Sequence, residues 1–330
     1  MLPNVDFRMI HRPNGIDLRV ATMGSGPLVV LVHGFPESWI SWRHQIPAIA
    51  AAGYTVAAME TRGYGDSSHP DEVEAYTIAE MAADIVAVID AFGSSNAVLL
   101  GHDWGAAQVY GTAILHPEKV KGLIALAFTA GQFLDRKVSQ MWDEFYPHGG
   151  FYQSYFKVPG EIETELGTDV RGFLRKFLYA LSGGRPEGVD GLVRPAGTKH
   201  LLDGLPDPDP FPSWLTEKAL DYYTRSFQRG GLRGPINRYR AQDLDVEQLR
   251  PFAARQITQP TLWIGGERDP ARHLVPGLDR YLDPIPRCTD PRGTVILPGV
   301  GHWIQQEAPD EVNRLILGFL GSEVEGHRPA

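Results

Sequence analysis

The chain has 330 residues, 43% of them hydrophobic and 22% charged, a balance that excludes intrinsic disorder and supplies one large core, or a core with an inserted subdomain. Its net charge is −9, from 31 basic and 40 acidic residues without a long basic block, which argues against a nucleic-acid partner or an anionic membrane surface. Cys288 is the single cysteine, no run reaches the roughly 18 apolar residues of a membrane span, and the N-terminus lacks an apolar signal core. A cytoplasmic location is therefore expected.

In chain order, two strand-like segments, 7–11 and 16–22, flank Asn14-Gly15, a hairpin signal. Leu28–Val32 is too continuously apolar to have a wet face, so it belongs inside a sheet covered on both sides. His33-Gly-Phe-Pro36 follows, then an amphipathic segment from about Trp39 to Ala51, a strand at 55–59 and the glycine-rich loop 60–68. Ile78, Met81, Ile85, Val88 and Ile89 recur at three- and four-residue spacing, which predicts a helix over 77–92. A buried strand from Ala97, a helix to His116 and another strand over 120–128 complete the first half. Buried strands alternating with helices predict a mostly parallel, doubly wound α/β sheet, with function at the carboxyl ends of its strands.

After Phe128 the strand rhythm stops, and the chain to about Arg240 is rich in aromatic and helix-like segments. The loop 205–212 carries four prolines, which rule out regular structure there. Strands return at 260–266 and 294–297, and an amphipathic helix over 309–320 precedes a polar tail, 321–330, expected to fray. The organisation expected is a core domain of residues 1–130 and 241–330 carrying an inserted helical cap at 131–240.

The chemistry centres on Gly101-His-Asp-Trp-Gly105, where a buried strand meets a helix at a corner bracketed by glycines. A nucleophile elbow reads G-x-S-x-G, with small residues permitting the sharp turn that presents the central side chain. Here that residue is Asp103. A carboxylate nucleophile forms an ester that must later be hydrolysed; alternatively, Asp103 simply caps the following helix. Partners in the order nucleophile, acid, base decide between these readings. Asp269, with Glu267 as its rival, follows the strand ending near Ile264, and His302 follows the strand ending at Leu297. A carboxylate there would orient the imidazole and stabilise its charged form.

From about Val5 to Leu320 the chain resembles the epoxide hydrolases of the α/β-hydrolase fold. The resemblance rests on His33-Gly-Phe-Pro36, Arg62-Gly-Tyr-Gly65, the Asp103 elbow, Gly301-His-Trp303, and two stretches of the insertion, 151–156 and 231–240. It implies that Tyr152 and Tyr239 hydrogen-bond the epoxide oxygen, with Tyr155 as the alternative to Tyr152. It also implies that the backbone N–H groups of Phe35 and Trp104 form an oxyanion hole, that the Phe35–Pro36 bond is cis, and that Phe35, Pro36, Trp104 and Phe128 line an apolar slot. No metal or cofactor is implied, and the partners expected are a small apolar epoxide and water, in a monomer or homodimer. The chemistry fits: ring opening releases an alkoxide, so a weak nucleophile needs an acid at the oxygen, and a phenol stays protonated at neutral pH.

A haloalkane dehalogenase, the alternative, shares the Asp nucleophile but resembles a pattern with asparagine or a second tryptophan binding halide, and Phe35 stands where that asparagine would be. Fluoroacetate dehalogenases carry arginine where Trp104 stands. Esterases require serine at position 103. An idle ligand-binding relative would lack a triad or cap residue, and none is missing.

Overall fold

The computed structural model describes residues 2–131, 135–147, 150–194 and 198–324. Eight strands form one sheet: β1 (Asp6–His11), β2 (Asp17–Met23), β3 (Leu28–Val32), β4 (Thr55–Met59), β5 (Ala97–His102), β6 (Val120–Leu126), β7 (Thr261–Gly266) and β8 (Pro291–Leu297). Their spatial order is β1-β2-β4-β3-β5-β6-β7-β8, antiparallel across β1, β2 and β4 and parallel from there on. The hairpin expected at Asn14-Gly15 closes with Arg12 N donating to Ile16 O at 2.8 Å. This is the α/β-hydrolase fold.

The continuous apolar runs are explained by burial on both faces. In β3, Val29 and Leu31 join one core cluster while Leu28, Val30 and Val32 join the other. Beneath the second face lie α2 (Ile78–Ala91) and α3 (Trp104–Leu115). Thr77 caps α2 by accepting from Glu80 N, and the helix buries the residues that its spacing singled out. On the first face are α1 (Gln45–Ala51) and α12 (Pro309–Val324), which follows the short α11 (Ile304–Glu307).

Between β6 and β7 lie α4 (Val138–Phe145), α5 (Tyr152–Phe156), α6 (Glu161–Thr168), α7 (Val170–Ala180), α8 (Glu217–Gly230), α9 (Arg233–Arg240) and α10 (Gln242–Leu249). Their aromatic side chains, among them Phe156, Phe173, Phe177 and Phe227, gather around Phe35 at the end of β3. Residues 205–212 have no helix or strand, as their prolines require.

Several boundaries differ from the sequence expectation. The segment 39–51 splits into a 3₁₀ turn, Trp39–Trp42, and α1, because Pro47 can sit only in a helix's first turn. The strand expected to reach Phe128 ends at Leu126, since Ala127 turns the chain at φ +64. β8 starts at Pro291, a residue tolerated at the start of an edge strand. The last helix runs through Gly321 to Val324, and of the tail expected to fray, residues 325–330 lie outside the described residues.

Candidate active site

The elbow is sterically determined. A Cβ on Gly101 would come within 2.4 Å of Gly105 O, and one on Gly105 within 2.0 Å of Val32 O, so only glycine permits so close an approach of β5, α3 and β3. Between them Asp103 adopts φ 53, ψ −121, a sparsely populated conformation of the kind found at functional sites. Its side chain makes no capping hydrogen bond to α3. Instead Oδ1 accepts from Phe35 N at 3.0 Å, and Oδ2 stands 3.6 Å from His302 Nε2. The Phe35–Pro36 bond is cis.

His302 and Asp269 come together from the loops after β8 and β7. His302 Nδ1 lies 2.9 Å from Asp269 Oδ2, which fixes the ring so that Nε2 faces Asp103. Asp269 Oδ1 accepts from Ala271 N at 2.8 Å. Burial disfavours the Asp269 charge, yet the His302 charge and the hydrogen bonds from His302, Tyr281 and Ala271 hold its pKa below the usual value. Burial likewise pulls His302 down, but the charges of Asp269 and Asp103 and the bond to Asp269 push it well above its ordinary value. Glu267, the rival acid, turns to Gly299 N at 2.8 Å.

Tyr152, the first residue of α5, and Tyr239, near the end of α9, line the same cavity as Asp103 and His302. Their ring centres are 5.7 Å apart. Gln153 Nε2 donates to Tyr152 Oη at 2.8 Å, and Tyr152 is also hydrogen-bonded to Tyr239. Burial and the Asp103 charge raise the pKa of Tyr152. Tyr239 is raised well above its ordinary value, by burial first and then by Tyr152 and Asp103. Tyr155 is placed elsewhere, donating to Glu165 Oε2 at 2.7 Å.

Phe35, Trp104 and Phe128 line the cavity, whose volume is about 80 Å³. Trp104 is edge-on to Tyr239 at 5.2 Å and carries the Arg238 guanidinium over its ring at 4.7 Å. Because Trp104 opens α3, its N–H has no intrahelical acceptor. Pro36 is buried but is not among the described residues lining the cavity.

Residues 27–157 match the family described as alpha/beta hydrolase fold. The chain is 40% identical to Epoxide hydrolase B of Mycobacterium tuberculosis, with 90% of this chain and 92% of that one covered. Among solved structures it is similar to an epoxide hydrolase from an endophytic Streptomyces, with a TM-score of 0.88, 42% identity, and 97% and 96% of the two chains covered. It is equally similar in structure to Epoxide Hydrolase A from Mycobacterium thermoresistibile, with a TM-score of 0.88, 36% identity and coverage of 96% and 98%. The chain belongs to the epoxide hydrolases of the α/β-hydrolase fold.

Around the residues expected from the epoxide-hydrolase motifs, the fold brings in others that the sequence reading missed. Tyr281 Oη lies 2.6 Å from Asp269 Oδ2 and 2.9 Å from Ala127 O, giving the acid a further donor. Nothing in the local pattern around Tyr281 marks it. Glu37 directly follows the His33–Pro36 motif and is fully buried; its Oε2 accepts from Gly34 N at 2.9 Å and lies 2.6 Å from His102 Nδ1. Burial works against the Glu37 charge, but its contact and hydrogen bond with His102 bring its pKa down to about 2. His102 in turn reaches the His302 backbone oxygen at 2.8 Å from Nε2. A glutamate between two apolar stretches was the available signal. Among the described residues no helix is long and apolar enough to cross a membrane.

Proposed function

We propose that this epoxide hydrolase converts small epoxides and water to vicinal diols through a covalent ester on Asp103. The observation that carries the reading is the convergence on one cavity of a carboxylate held by Phe35 N, an imidazole facing it, and two buried phenols. The Asp103 carboxylate attacks a ring carbon from the side away from the oxygen; the C–O bond breaks, and Tyr152 or Tyr239 gives its proton to the departing oxygen. His302, oriented by Asp269, then takes a proton from a water whose oxygen adds to the ester carbonyl. The resulting oxyanion is met by the N–H groups of Phe35 and Trp104. Its collapse releases the diol and restores the Asp103 carboxylate, and the proton taken by His302 returns to the phenol.

Residues 131–240 form the cap over a core made of 1–130 and 241–330, so the insertion supplies the acids and the sheet supplies the nucleophile and base. Two phenols in the cavity of the nucleophile favour an epoxide over a haloalkane, because halide leaves as a stable anion that needs no proton. With one cysteine and no disulfide to form, we place the activity in the cytoplasm.

The test is a single turnover in ¹⁸O-water. The first diol oxygen comes from the carboxylate, so solvent label is expected in Asp103 and not in that first diol. Label in the first diol would overturn the ester route. His302→Gln should trap the ester as a mass increase equal to the substrate on the peptide containing Asp103.

A further inference from the structure

The catalytic cavity contains a cation that the mechanism leaves unused. Arg280 lines it together with Asp103, Tyr152 and Tyr239. Its guanidinium donates from Nη2 to Thr129 Oγ1 at 2.7 Å and sits 5.7 Å from the Phe128 ring centre. Among the described residues, no carboxylate is paired with it.

Three other arginines withdrawn from solvent among the described residues are each matched with an acid, whereas the half-buried Arg43 and Arg185 spend their donors on carbonyl oxygens and a glutamine. Arg62 holds Asp84 at 2.6 Å, Arg238 holds Asp245 and Arg240 holds Glu163 at 2.6 Å. The carboxylates near Arg280 are already engaged. Asp269 receives Ala271 N, Tyr281 Oη and His302 Nδ1; Asp103 receives Phe35 N and faces His302. A guanidinium has five N–H donors in a planar fork suited to a carboxylate, and Thr129 occupies only part of it. Arg280 is half-buried, and a charge partly withdrawn from water gains from an acid partner. Consistent with this, burial lowers the Arg280 pKa despite the fields of Tyr281 and Asp269.

We propose that Arg280 receives a carboxylate carried by the substrate, making the preferred substrate a compact epoxy acid rather than a purely apolar epoxide. This rests on the epoxide-hydrolysing reading above and narrows it. Since Arg280 and Asp103 share a cavity of about 80 Å³, the carboxylate and the oxirane must lie only a few bonds apart. The role is one of binding and orientation: the guanidinium fixes one end of the molecule while Asp103 attacks the other.

The test compares 3,4-epoxybutanoate with its neutral isostere 3,4-epoxybutanamide, and includes styrene oxide as an uncharged reference. Wild type is expected to favour the acid over the amide at least tenfold in kcat/KM, mainly through KM. In Arg280→Gln that ratio should fall to near one, and Arg280→Lys should recover part of it. An amide preference in wild type, or a ratio that survives Arg280→Gln, overturns the proposal; equal losses on both substrates would make Arg280 structural. Turnover of styrene oxide without acid preference sinks this inference alone, whereas no turnover of any of the three sinks the epoxide reading itself. If Arg280→Gln does not fold, inhibition of wild type decides: butanoate should inhibit at least tenfold more tightly than butanamide, and equal inhibition refutes the proposal.

Discussion

His302 Nε2 stands 3.6 Å from Asp103 Oδ2, too far for a hydrogen bond, while its Nδ1 is bonded to Asp269 at 2.9 Å. The imidazole therefore faces two carboxylates, whose charges push its pKa well above the ordinary value although burial pulls it down. A protonated imidazole cannot act as a base. On the ester route proposed above, conversion of Asp103 to a neutral ester would remove one of those charges and lower the His302 pKa, so the base would gain competence as its own substrate forms.

The expected consequence is a pH dependence confined to the second step. The active form of His302 is neutral, so ester hydrolysis should rise with pH through its pKa in the ester state and then level off. Ester formation should stay flat well into alkaline conditions, because Tyr152 and Tyr239 both titrate above the ordinary tyrosine value. Rapid-quench measurement of the esterified fraction should find the ester accumulating at low pH. A fraction independent of pH would contradict this order of events.

The phenols give a second prediction. Tyr152→Phe and Tyr239→Phe should each retain partial ring opening, since one donor remains. The double variant should lose about 10²- to 10⁴-fold in the rate of ester formation, the range typical of a positioned acid. Thermal melts should place all three near wild type, because only hydroxyls are removed. Near-normal ester formation in the double variant would reduce both residues to packing.

Tyr281→Phe tests how Asp269 is held. Removing the hydroxyl 2.6 Å from Asp269 Oδ2 takes a neutral donor from a charged acceptor, worth about 1.5–3 kcal/mol. Ester hydrolysis should slow by roughly tenfold or more, with ester formation little changed. Asp269→Asn should show the same asymmetry more severely, while Glu267→Gln should not. Equal slowing of both steps in Tyr281→Phe would show that the hydroxyl acts through the fold and not through the base.

A stability prediction follows from the elbow. Gly105→Ala forces a Cβ to within 2.0 Å of Val32 O, and backbone on both sides prevents relief. The loss should reach or exceed the 1–3 kcal/mol typical of overpacking, to about 3 kcal/mol or beyond. Gly318→Ala, on α12 with nothing within 4 Å of the added carbon, should instead be neutral or stabilising by about 0.5–1 kcal/mol. Chemical denaturation of both variants checks the contrast.

The parts of the site that were legible in the sequence are those written in consecutive residues. Gly101–Gly105 encodes its own turn, the apolar runs of β3 and β5 encode two-sided burial, and the order of Asp103, Asp269 and His302 follows from strand order. Tyr281 and Arg280 were not legible, because each lies in an irregular loop and acquires its partner only when that loop packs beneath the end of β6. Phe128 was read both as the end of a strand and as lining the slot; it lines the cavity, and the turn at Ala127 ends the strand before it. Helix ends were misjudged where a glycine that reads as a stop is carried inside the helix, as at Gly321, or where a proline sits inside an amphipathic pattern, as at Pro47.

The chain leaves the sheet after Leu126 and returns at Thr261, on strands paired directly side by side, with Leu126 opposite Ile264. Because the two strands are parallel, the chain leaves at the carboxyl end of β6 and re-enters at the amino end of β7, where Thr261 lies opposite Leu123. Closing a longer or shorter excursion between those points costs little, since the entropy of closure grows only with the logarithm of length. The excursion is in effect an exchangeable part on a fixed mount: lengthening, trimming or replacing it would alter which molecules are admitted, while Asp103, Asp269 and His302 would keep their places just beyond the ends of β5, β7 and β8.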